Sequence, residues 1–399
     1  MKMKNMKKEL LVFFILLAVV SVGNGLSDQV FANYFKDAYN VNATQRAFIE
    51  FPRELPGMIC VFVIAALSFL GDIKIAIIAQ IFSFIGIAIL GLTDPSFNMM
   101  MVFLFINSLG MHVFMPLNDS IGMALAEEGD IGRRVGQYGS LKTAVFFLTG
   151  LFVFFGFRSG FLTFQGEFKL IFVISAVAFL IAAILATYLY KITKEKNLHF
   201  KKKTSSLVFK KEYKYYYFLT ILHGVQKQIA YVFGSWVIID LLSKGVEVMS
   251  ILTIIGSFLG IFFFRFVGHL MDQKGIKFVM YIDALSFIFI YVIYGFIVYT
   301  LEGQSSITPI YVGIVYLLYI LDRLSMQVGV VKAVYLRDIA IDKSEVTSVL
   351  STGLTLDHFV AIIAAQFSGL IWVSFGAHWV FFIAALFSLG NLYVAYKIK

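Results

Sequence analysis

Charged residues are scarce in this 399-residue chain: Asp, Glu, Lys and Arg together make up 14% of it, against about 25% in an ordinary soluble domain. Five prolines exclude a proline-rich or collagen-like segment, and the single cysteine, Cys60, cannot form an internal disulfide. By contrast, 60% of the residues are hydrophobic and the mean hydropathy is +0.86. A soluble or disordered protein could not leave so much apolar surface in water. The composition therefore predicts a multi-pass helical membrane protein.

Long apolar runs follow one another along the whole chain. Each has about 20 residues, the length that crosses the roughly 30 Å hydrocarbon core of a bilayer. The twelve runs cover residues 10–35, 47–70, 73–92, 97–125, 137–157, 169–190, 215–242, 247–270, 278–300, 309–336, 346–371 and 379–396. We expect an all-α membrane protein of twelve transmembrane helices in two six-helix halves with a central cavity, which is a transporter architecture.

The longest loop, residues 191–214, is rich in lysine and separates a first half (1–190) from a second half (215–399). Lys and Arg concentrate in alternate loops, so the positive-inside bias places this linker and both termini in the cytosol. The net charge of +9 then reflects the membrane surface and not nucleic acid, whose binding would need basic residues along one groove. We expect a monomeric protein of the plasma membrane, surrounded by lipid.

A glycine-containing motif follows the eighth apolar run. It reads Gly268-His269-Leu270-Met271-Asp272-Gln273-Lys274-Gly275-Ile276-Lys277. This is similar to the G-x-L-x-D-x-x-G-x-K/R loop signature of the major facilitator superfamily, and with the twelve runs and the central loop the resemblance covers the whole chain. It implies that Asp272, with Gly268, Gly275 and Lys277, helps to latch helices of one half when the cytosolic side is closed. The alternative is a tight turn in which Asp272 caps the next helix.

Two features of the proton-coupled drug exporters of this superfamily are missing. Those exporters usually carry an Arg near a Gly-rich turn in the fourth span and a G-P-x-x-G stretch in the fifth. Here the fourth span reads Ile106-Asn107-Ser108-Leu109-Gly110-Met111-His112, and the fifth contains no proline. The resemblance therefore favours solute transport over drug export. Separately, the loop of the first half that corresponds to the motif, Leu70-Gly71-Asp72-Ile73-Lys74, is shortened and lacks the second glycine, so we do not expect a matching latch there.

Ionisable residues within the apolar runs are candidate functional groups. A charge near the bilayer centre costs roughly 2.5–3.5 kcal/mol and persists only if it is paired, hydrated or used. Asp322 and Arg323 lie near the middle of the tenth run, and Tyr316, Tyr319, Arg323 and Gln327 share one helical face. We expect this face to line an aqueous cavity. The alternative is a structural contact of Asp322 and Arg323 with neighbouring helices.

Three side chains are candidates for proton coupling: Asp28, Asp357 and His358. Asp357 and His358 lie deep in the eleventh run, where a carboxyl and an imidazole can hold a proton that moves when a partner charge moves. Asp28 of the first run is expected to bridge to Lys227 of the seventh, because the first spans of the two halves face each other in the family that the sequence resembles. The alternatives are a packing role for His358 and a local partner for Asp28.

Other polar side chains within the runs are candidate substrate contacts. Together with the tenth-run residues, the set comprises Asn24, Arg53, Glu54, His112, Gln226, Lys227, Asp322, Arg323 and Gln327. An arginine among them could clamp a carboxylate or phosphate through two parallel hydrogen bonds. For Arg53 and Glu54 the alternative is a structural outer mouth, since Pro52 and Glu54 both suit the first turn of a helix.

Motifs of catalysis are missing from the sequence: it contains no phosphate-binding loop, no G-x-S-x-G elbow and no two histidines at i, i+4. We therefore expect no enzymatic activity, no cofactor and no metal.

The expected function is secondary active transport of a small hydrophilic solute by alternating access, coupled to protons as a symporter. Two alternatives remain open. One is a proton-driven exporter of amphipathic or drug-like compounds, and the other is a scaffold or receptor that does not transport.

Overall fold

The computed structural model describes residues 7–126, 131–195, 208–303, 308–341 and 346–398. Within these ranges all regular secondary structure is helical. Ten described helical stretches are long and apolar enough to cross a membrane, which confirms the expectation of an all-helical multi-pass membrane protein. Of the basic linker predicted at 191–214, residues 196–207 lie outside the described residues.

The chain divides into two compact units. The first comprises Met1–Phe31 and Leu55–Thr204, and the second comprises Ala32–Glu54 and Ser205–Lys399. Residues 32–54, which the sequence interpretation assigned to the first half, are thus grouped with the second unit. The division of the sequence into halves at 191–214 stays a prediction.

The first part of the chain forms seven described helices. They are α1 (Lys8–Asp28), α2 (Phe31–Tyr39), α3 (Ala43–Leu67), α4 (Asp72–Leu92), α5 (Phe97–Ala124), α6 (Ile131–Arg158) and α7 (Leu170–Glu195). In the first unit, α4 packs against α5 and α7, and α1 packs against α6 and α7. Gly110 permits the close approach of α5 to α4, because a Cβ at this position would lie 2.4 Å from the carbonyl oxygen of Ala79.

The second part of the chain also forms seven described helices. They are α8 (Lys214–Gln228), α9 (Gly234–Trp236), α10 (Val246–Glu302), α11 (Pro309–Val328), α12 (Val331–Ile339), α13 (Val346–Phe375) and α14 (Ala377–Lys397). Two π-helical turns, Ile229–Phe233 and Val237–Leu241, flank α9 and join it to α8 in one helical segment over residues 214–241. In the second unit, α8 packs against α13, and α10 packs against α11 and α14.

Helix α10 has 57 residues, far more than the roughly 20 that cross a bilayer. It is interrupted at Gly275, whose φ of 82° and ψ of 166° are not helical. Glycine adopts such a positive φ readily because it has no Cβ. The interruption falls within the motif that the sequence interpretation placed in a loop between the eighth and ninth runs. The chain changes direction there at a single residue, so α10 consists of two helices.

Candidate functional site

Parts of α3, α8 and α13 meet in the second unit. Gly224 of α8 lets this helix approach α13 closely, because a Cβ there would lie 2.7 Å from the backbone oxygen of Asp357. Gln366 of α13 donates a hydrogen bond of 2.8 Å to the carbonyl oxygen of Ala47, which fixes α3 against α13. These contacts bring ionisable side chains of the three helices together, among them Glu54 at the end of the part of α3 that belongs to this unit.

Lys227 of α8 lies between two carboxylates. Its Nζ donates at 2.9 Å to Oε2 of Glu54 and at 2.9 Å to Oδ2 of Asp357. The side chains of Lys227, Glu54 and Asp357 are only 17%, 14% and 9% exposed, so solvent screens these ion pairs weakly. The sequence interpretation named all three residues but not their pairing. The contact that it expected between Lys227 and Asp28 stays a prediction.

Two imidazoles and an amide extend this group. His223 Nδ1 lies 2.9 Å from Oδ1 of Asp357, and His358 Nδ1 lies 2.5 Å from Oε2 of Glu54. Gln228 Nε2 donates to Oε1 of Glu54 at 3.1 Å. Each carboxylate therefore contacts one imidazole and shares the ammonium group. We call the five ionisable residues the charge cluster: Glu54, His223, Lys227, Asp357 and His358.

The charge cluster contains two carboxylates but one ammonium group. With both imidazoles neutral it carries one excess negative charge, and one proton on either imidazole balances it. Imidazole is the side chain whose charge changes most readily near neutral pH. Within the described ranges, no set of three or more His, Cys, Asp or Glu side chains is arranged to hold a metal ion.

Arg323 of α11 is enclosed by aromatic rings. Its Cζ lies 4.1 Å from the ring centre of Tyr231 and 4.8 Å from that of Tyr319. Its Nη2 donates to the hydroxyl of Tyr319 at 2.7 Å and to Oγ of Ser235 at 3.4 Å. A guanidinium held between two rings keeps a fixed plane, which suits it to recognise a carboxylate or phosphate. We call Tyr231, Ser235, Tyr319 and Arg323 the arginine cage.

Three other sequence candidates are packed between helices. Asp322 is 1% exposed. Gln226 is also 1% exposed and donates to Oγ of Ser388 at 3.1 Å. Gln327 lies against α10, where a Cβ at Gly260 would be 2.3 Å from its Nε2. The structure thus places these three side chains outside the charge cluster.

The first unit contains a cavity of about 120 Å³ between α1, α5 and α6. Its polar lining comes from Ser21 and Asn24 of α1, Asn118 of α5 and Lys142 of α6, and the rest is apolar. Asn24, a predicted substrate contact, therefore borders a cavity. Lys142, which was not among the sequence candidates, can extend its long side chain to the same cavity.

His112 and Asp28 are also in the first unit. Nδ1 of His112 lies 2.9 Å from the carbonyl oxygen of Ser108, one turn earlier in α5. Asp28 is the last residue of α1. The roles predicted for these two side chains therefore rest on their positions in the sequence.

Arg53 belongs to an ion network within α3. Its Nη1 donates to Oε1 of Glu50 at 2.7 Å, and Nη1 of Arg46 donates to the same oxygen at 2.6 Å. The side chains of Arg46 and Glu50 are 2% exposed, whereas that of Arg53 is 29% exposed. Two guanidinium groups thus share one buried carboxylate oxygen.

Polar contacts also join α2 to the end of the π-helical segment, which is the name used here for residues 229–241. Lys36 Nζ lies 2.5 Å from Oδ1 of Asp240, and Nδ2 of Asn33 donates to the carbonyl oxygen of Lys244 at 3.2 Å. The neighbouring Asp37 is near Glu247. Partial burial and the negative charge of Glu247 raise the pKa of the Asp37 carboxyl above its ordinary value, although Lys36 acts in the opposite direction.

The four residues of the predicted latch differ in their surroundings. Gly275 has the positive φ described above, and Lys277 Nζ donates to the carbonyl oxygen of Ile398 at 2.8 Å, which joins α10 to the end of α14. Asp272 is exposed. A Cβ at Gly268 would meet no atom within 4 Å, so packing does not require glycine there in this conformation. The latch itself stays a prediction.

Three residues of these groups were not among the candidates from the sequence: His223, Tyr231 and Ser235. His223 is four residues before Lys227 on the same helical face, a spacing that the sequence shows, but the sequence interpretation assigned no role to it. Tyr231 lies in a π-helical turn and Ser235 in α9. No sequence signal distinguishes them, since aromatic and small residues are common in the packing of transmembrane helices.

Solved structures of several transporters share this fold. The nucleoside transporter NupG is 15% identical, with a TM-score of 0.75, and the match covers 98% of this chain and 100% of NupG. A D-xylose-proton symporter is 13% identical, with a TM-score of 0.70 and 96% of each chain covered. The POT family transporter PepTSo is 12% identical, with a TM-score of 0.76 and coverage of 98% and 97%. No curated protein matches the sequence.

The sequence itself matches a protein family. The model of the Major Facilitator Superfamily matches residues 13–334, which is more than half of the chain. The helical architecture and the transporter structures of the same fold agree with this match. The chain therefore belongs to the major facilitator superfamily, and it is a membrane transporter of a small-molecule substrate and not an enzyme.

Proposed function

We propose that the protein is a secondary active transporter that moves a small hydrophilic solute by alternating access and couples this movement to protons as a symporter. The charge cluster carries the proposal, because Lys227 is shared by Glu54 and Asp357 and each carboxylate also contacts an imidazole. Ionisable groups within a membrane protein are costly unless they serve a function. A cluster that carries one negative charge and becomes neutral when it binds one proton is suited to proton coupling.

Proton uptake would change which helices the ammonium group joins. A proton on His358 makes this imidazole a cation that satisfies Glu54 at 2.5 Å. Glu54 then depends less on Lys227, whose other ion pair, with Asp357, remains. The tie between α3 and α8 weakens while that between α8 and α13 persists. A ligand or proton that favours one set of ties shifts the balance between conformational states.

We assign the coupling proton to the side chains of the charge cluster. Asp357 and His358 were candidates from the sequence, and Glu54 and His223 join them because they contact the same ion network. Asp28 remains a candidate for a proton site in the first unit. Its predicted pairing with Lys227 would be an alternative to the ion pair of Lys227 with Glu54.

We propose that the arginine cage contacts the substrate. Arg323 is oriented by two rings and two hydroxyl groups, and it suits an anionic or strongly polar substituent. In the first unit, Asn24 borders the cavity and can hydrogen-bond a hydroxyl or amide. The other substrate candidates remain Arg53, Glu54, His112, Gln226, Lys227, Asp322 and Gln327.

The proposal includes twelve transmembrane helices in two halves. It is supported by the interruption of α10 at Gly275 and by the helical segment 214–241, which adds to the ten long stretches. We propose a plasma-membrane location with both termini in the cytosol, from the distribution of Lys and Arg, and a monomer. The motif from Gly268 to Lys277 is proposed as a cytosolic latch, which the contact of Lys277 with the end of α14 supports.

The substrate class can be found by ligand stabilisation. Purified protein is heated with nucleosides, D-xylose or peptides, the compounds after which solved transporters of this fold are named. A ligand that binds the folded state raises the unfolding temperature. Uptake of a stabilising compound is then measured in proteoliposomes with and without a pH gradient, inside alkaline. We expect accumulation only with the gradient. Equal uptake under both conditions would refute proton coupling.

Variants of the charge cluster make this test specific. We expect Glu54→Gln and His358→Gln to retain exchange of labelled for unlabelled solute but to lose accumulation driven by the pH gradient. Glu167→Gln is the matched control, since it removes one carboxylate from an exposed position. Accumulation at the wild-type level by both cluster variants would show that the coupling proton binds elsewhere.

A further inference from the structure

A second ionisable site lies where α11 meets α10 and the π-helical segment. Asp322 is 1% exposed, and neither of its carboxylate oxygens has a hydrogen-bond partner among the described residues. Tyr291 and Tyr294 of α10 lie beside it and are 0% exposed. Gly234 faces the same place, since a Cβ there would lie 3.7 Å from Oδ2 of Asp322 and 3.9 Å from the hydroxyl of Tyr294. Asp322 is thus buried next to two phenol groups.

Both phenols donate their protons to backbone carbonyl groups. The hydroxyl of Tyr291 lies 3.3 Å from the oxygen of Gln226, and that of Tyr294 lies 3.2 Å from the oxygen of Gly234. A carbonyl oxygen only accepts, so the phenol is the donor in each bond, and a phenol has one proton. Both hydroxyls are close enough to Asp322 to interact with it electrostatically. Tyr291 is near enough to be an alternative donor to Asp322, but in this arrangement neither carboxylate oxygen has a partner within hydrogen-bond geometry among the described residues.

The other groups around Asp322 do not supply the missing donor. Arg323 is next to it in sequence, but its Nη2 is bound to Tyr319 and Ser235 and its guanidinium lies against Tyr231. Asp283, a further buried carboxyl, interacts with Tyr291 and adds no cation. The ionisable groups facing this place are thus Tyr291, Tyr294, Tyr319, Tyr231, Asp283 and Arg323. A buried carboxylate without hydrogen-bond donors is strongly disfavoured, whereas a neutral carboxyl is tolerated.

We propose that Asp322 is a proton-binding site, separate from the charge cluster, whose proton controls the π-helical segment of residues 229–241. When Asp322 releases its proton to water, its carboxylate accepts the hydrogen bonds of the two phenols. Tyr291 and Tyr294 then leave the carbonyl oxygens of Gln226 and Gly234. One O–H bond breaks on the carboxyl and one forms on water, and every other change is an exchange of hydrogen bonds.

The two carbonyl groups connect this site to both groups described above. Gln226 directly precedes Lys227 of the charge cluster, and Gly234 directly precedes Ser235 of the arginine cage. The π-helical turn Ile229–Phe233 lies between them. Protonation of Asp322 therefore acts on the backbone that positions Lys227 and the partners of Arg323. This inference extends the proposed function, because it adds a second proton site to a proton-coupled transporter.

The experiment is infrared spectroscopy of the purified full-length protein in lipid, titrated from about pH 5 to about pH 9, without any solute. A protonated carboxyl group shows a C=O stretching band that a carboxylate lacks. We expect the band of Asp322→Asn to be smaller than that of wild-type protein by the contribution of one carboxyl group, since the buried Asp283 remains, while the exposed control Glu167→Gln keeps the wild-type band. If Asp322→Asn and wild-type protein have the same band across this range, Asp322 is ionised and the proposal is wrong.

A second variant keeps the test decisive if Asp322→Asn does not fold. Tyr294→Phe removes a phenol that stabilises the deprotonated state, so the band should persist to a pH about one to two units higher than in wild-type protein. An unchanged titration of this variant would overturn the proposed exchange of hydrogen bonds. Because no solute is present, the result does not depend on the substrate. If the band of Asp322 is present but solute uptake does not depend on the pH gradient, the proposed proton coupling is refuted and the inference about Asp322 stands.

Discussion

Replacing Lys227 with methionine removes the ammonium group that joins Glu54 and Asp357. Each of the two carboxylate oxygens lies 2.9 Å from Nζ, so they are at most twice that distance, 5.8 Å, apart. At an effective dielectric constant of about 20, two unit negative charges at this separation repel each other by about 3 kcal/mol. Removing one partner of a buried ion pair commonly costs about 3–5 kcal/mol. The calculated repulsion accounts for most of such a loss.

The assay is thermal unfolding of the purified protein, followed by its intrinsic fluorescence. A loss of about 3–5 kcal/mol should lower the unfolding temperature of Lys227→Met by roughly 6–10 °C at about pH 7.5, at about 2 °C per kcal/mol for a large domain. A proton on either carboxyl relieves the repulsion. The deficit should therefore shrink as the pH is lowered to about 5.

Two further variants give this experiment its controls. Adding Asp357→Asn to Lys227→Met removes one of the two negative charges and with it the whole repulsion, so we expect it to restore most of the lost stability. Lys274→Met removes a lysine from an exposed position and should leave the unfolding temperature unchanged. The electrostatic reasoning fails if Lys227→Met unfolds at the wild-type temperature, or if the double variant is no more stable than the single one.

Three other substitutions test the helix packing, the arginine cage and the outer surface. Gly224→Ala places a methyl group 2.7 Å from the α13 backbone, so the helices must separate, and we expect a loss of about 1–3 kcal/mol in thermal unfolding. Tyr319→Phe removes the acceptor that orients Arg323. It should raise KM for the transported solute several-fold in initial-rate uptake while changing the unfolding temperature little. Asp37→Asn removes a carboxyl whose pKa is raised by partial burial and by Glu247. Stability falls as the pH rises through that pKa, so this variant should unfold at a higher temperature than wild-type protein at about pH 7.5 and at the same temperature below about pH 4.

Much of the helical architecture could be predicted because a bilayer requires apolar runs of a defined length, and polar residues separate these runs in the sequence. The break within α10 could also be predicted, because the glycine motif separates two apolar runs there, and a single glycine with positive φ makes the turn. The π-helical departures from regular helix could not be predicted. The π-helical turns Ile229–Phe233 and Val237–Leu241 contain no proline and little polarity, so the hydrophobic pattern passes through them without a break.

The charge cluster was predictable residue by residue but not as a group. The sequence identifies Lys227, Glu54 and Asp357 as candidates because each is an ionisable residue in an apolar run. Their mutual contacts depend on helices that are far apart in sequence, brought together by close packing at Gly224. The arginine cage was harder still to predict from the sequence. Tyr231 contacts Arg323 from a π-helical turn, and a regular α-helical wheel places the side chains of such a turn on the wrong face.

The charge balance of the cluster has an electrical consequence. In the proposed proton-coupled cycle the charge cluster is neutral when it holds its proton and carries one negative charge when it is empty, so the cluster itself would carry charge across the membrane in only one direction. An elementary charge that crosses the full membrane potential changes the free energy by about 2.3 kcal/mol per 100 mV. With an uncharged solute, the return of the empty cluster should therefore respond to the membrane potential more strongly than the step in which the cluster holds its proton.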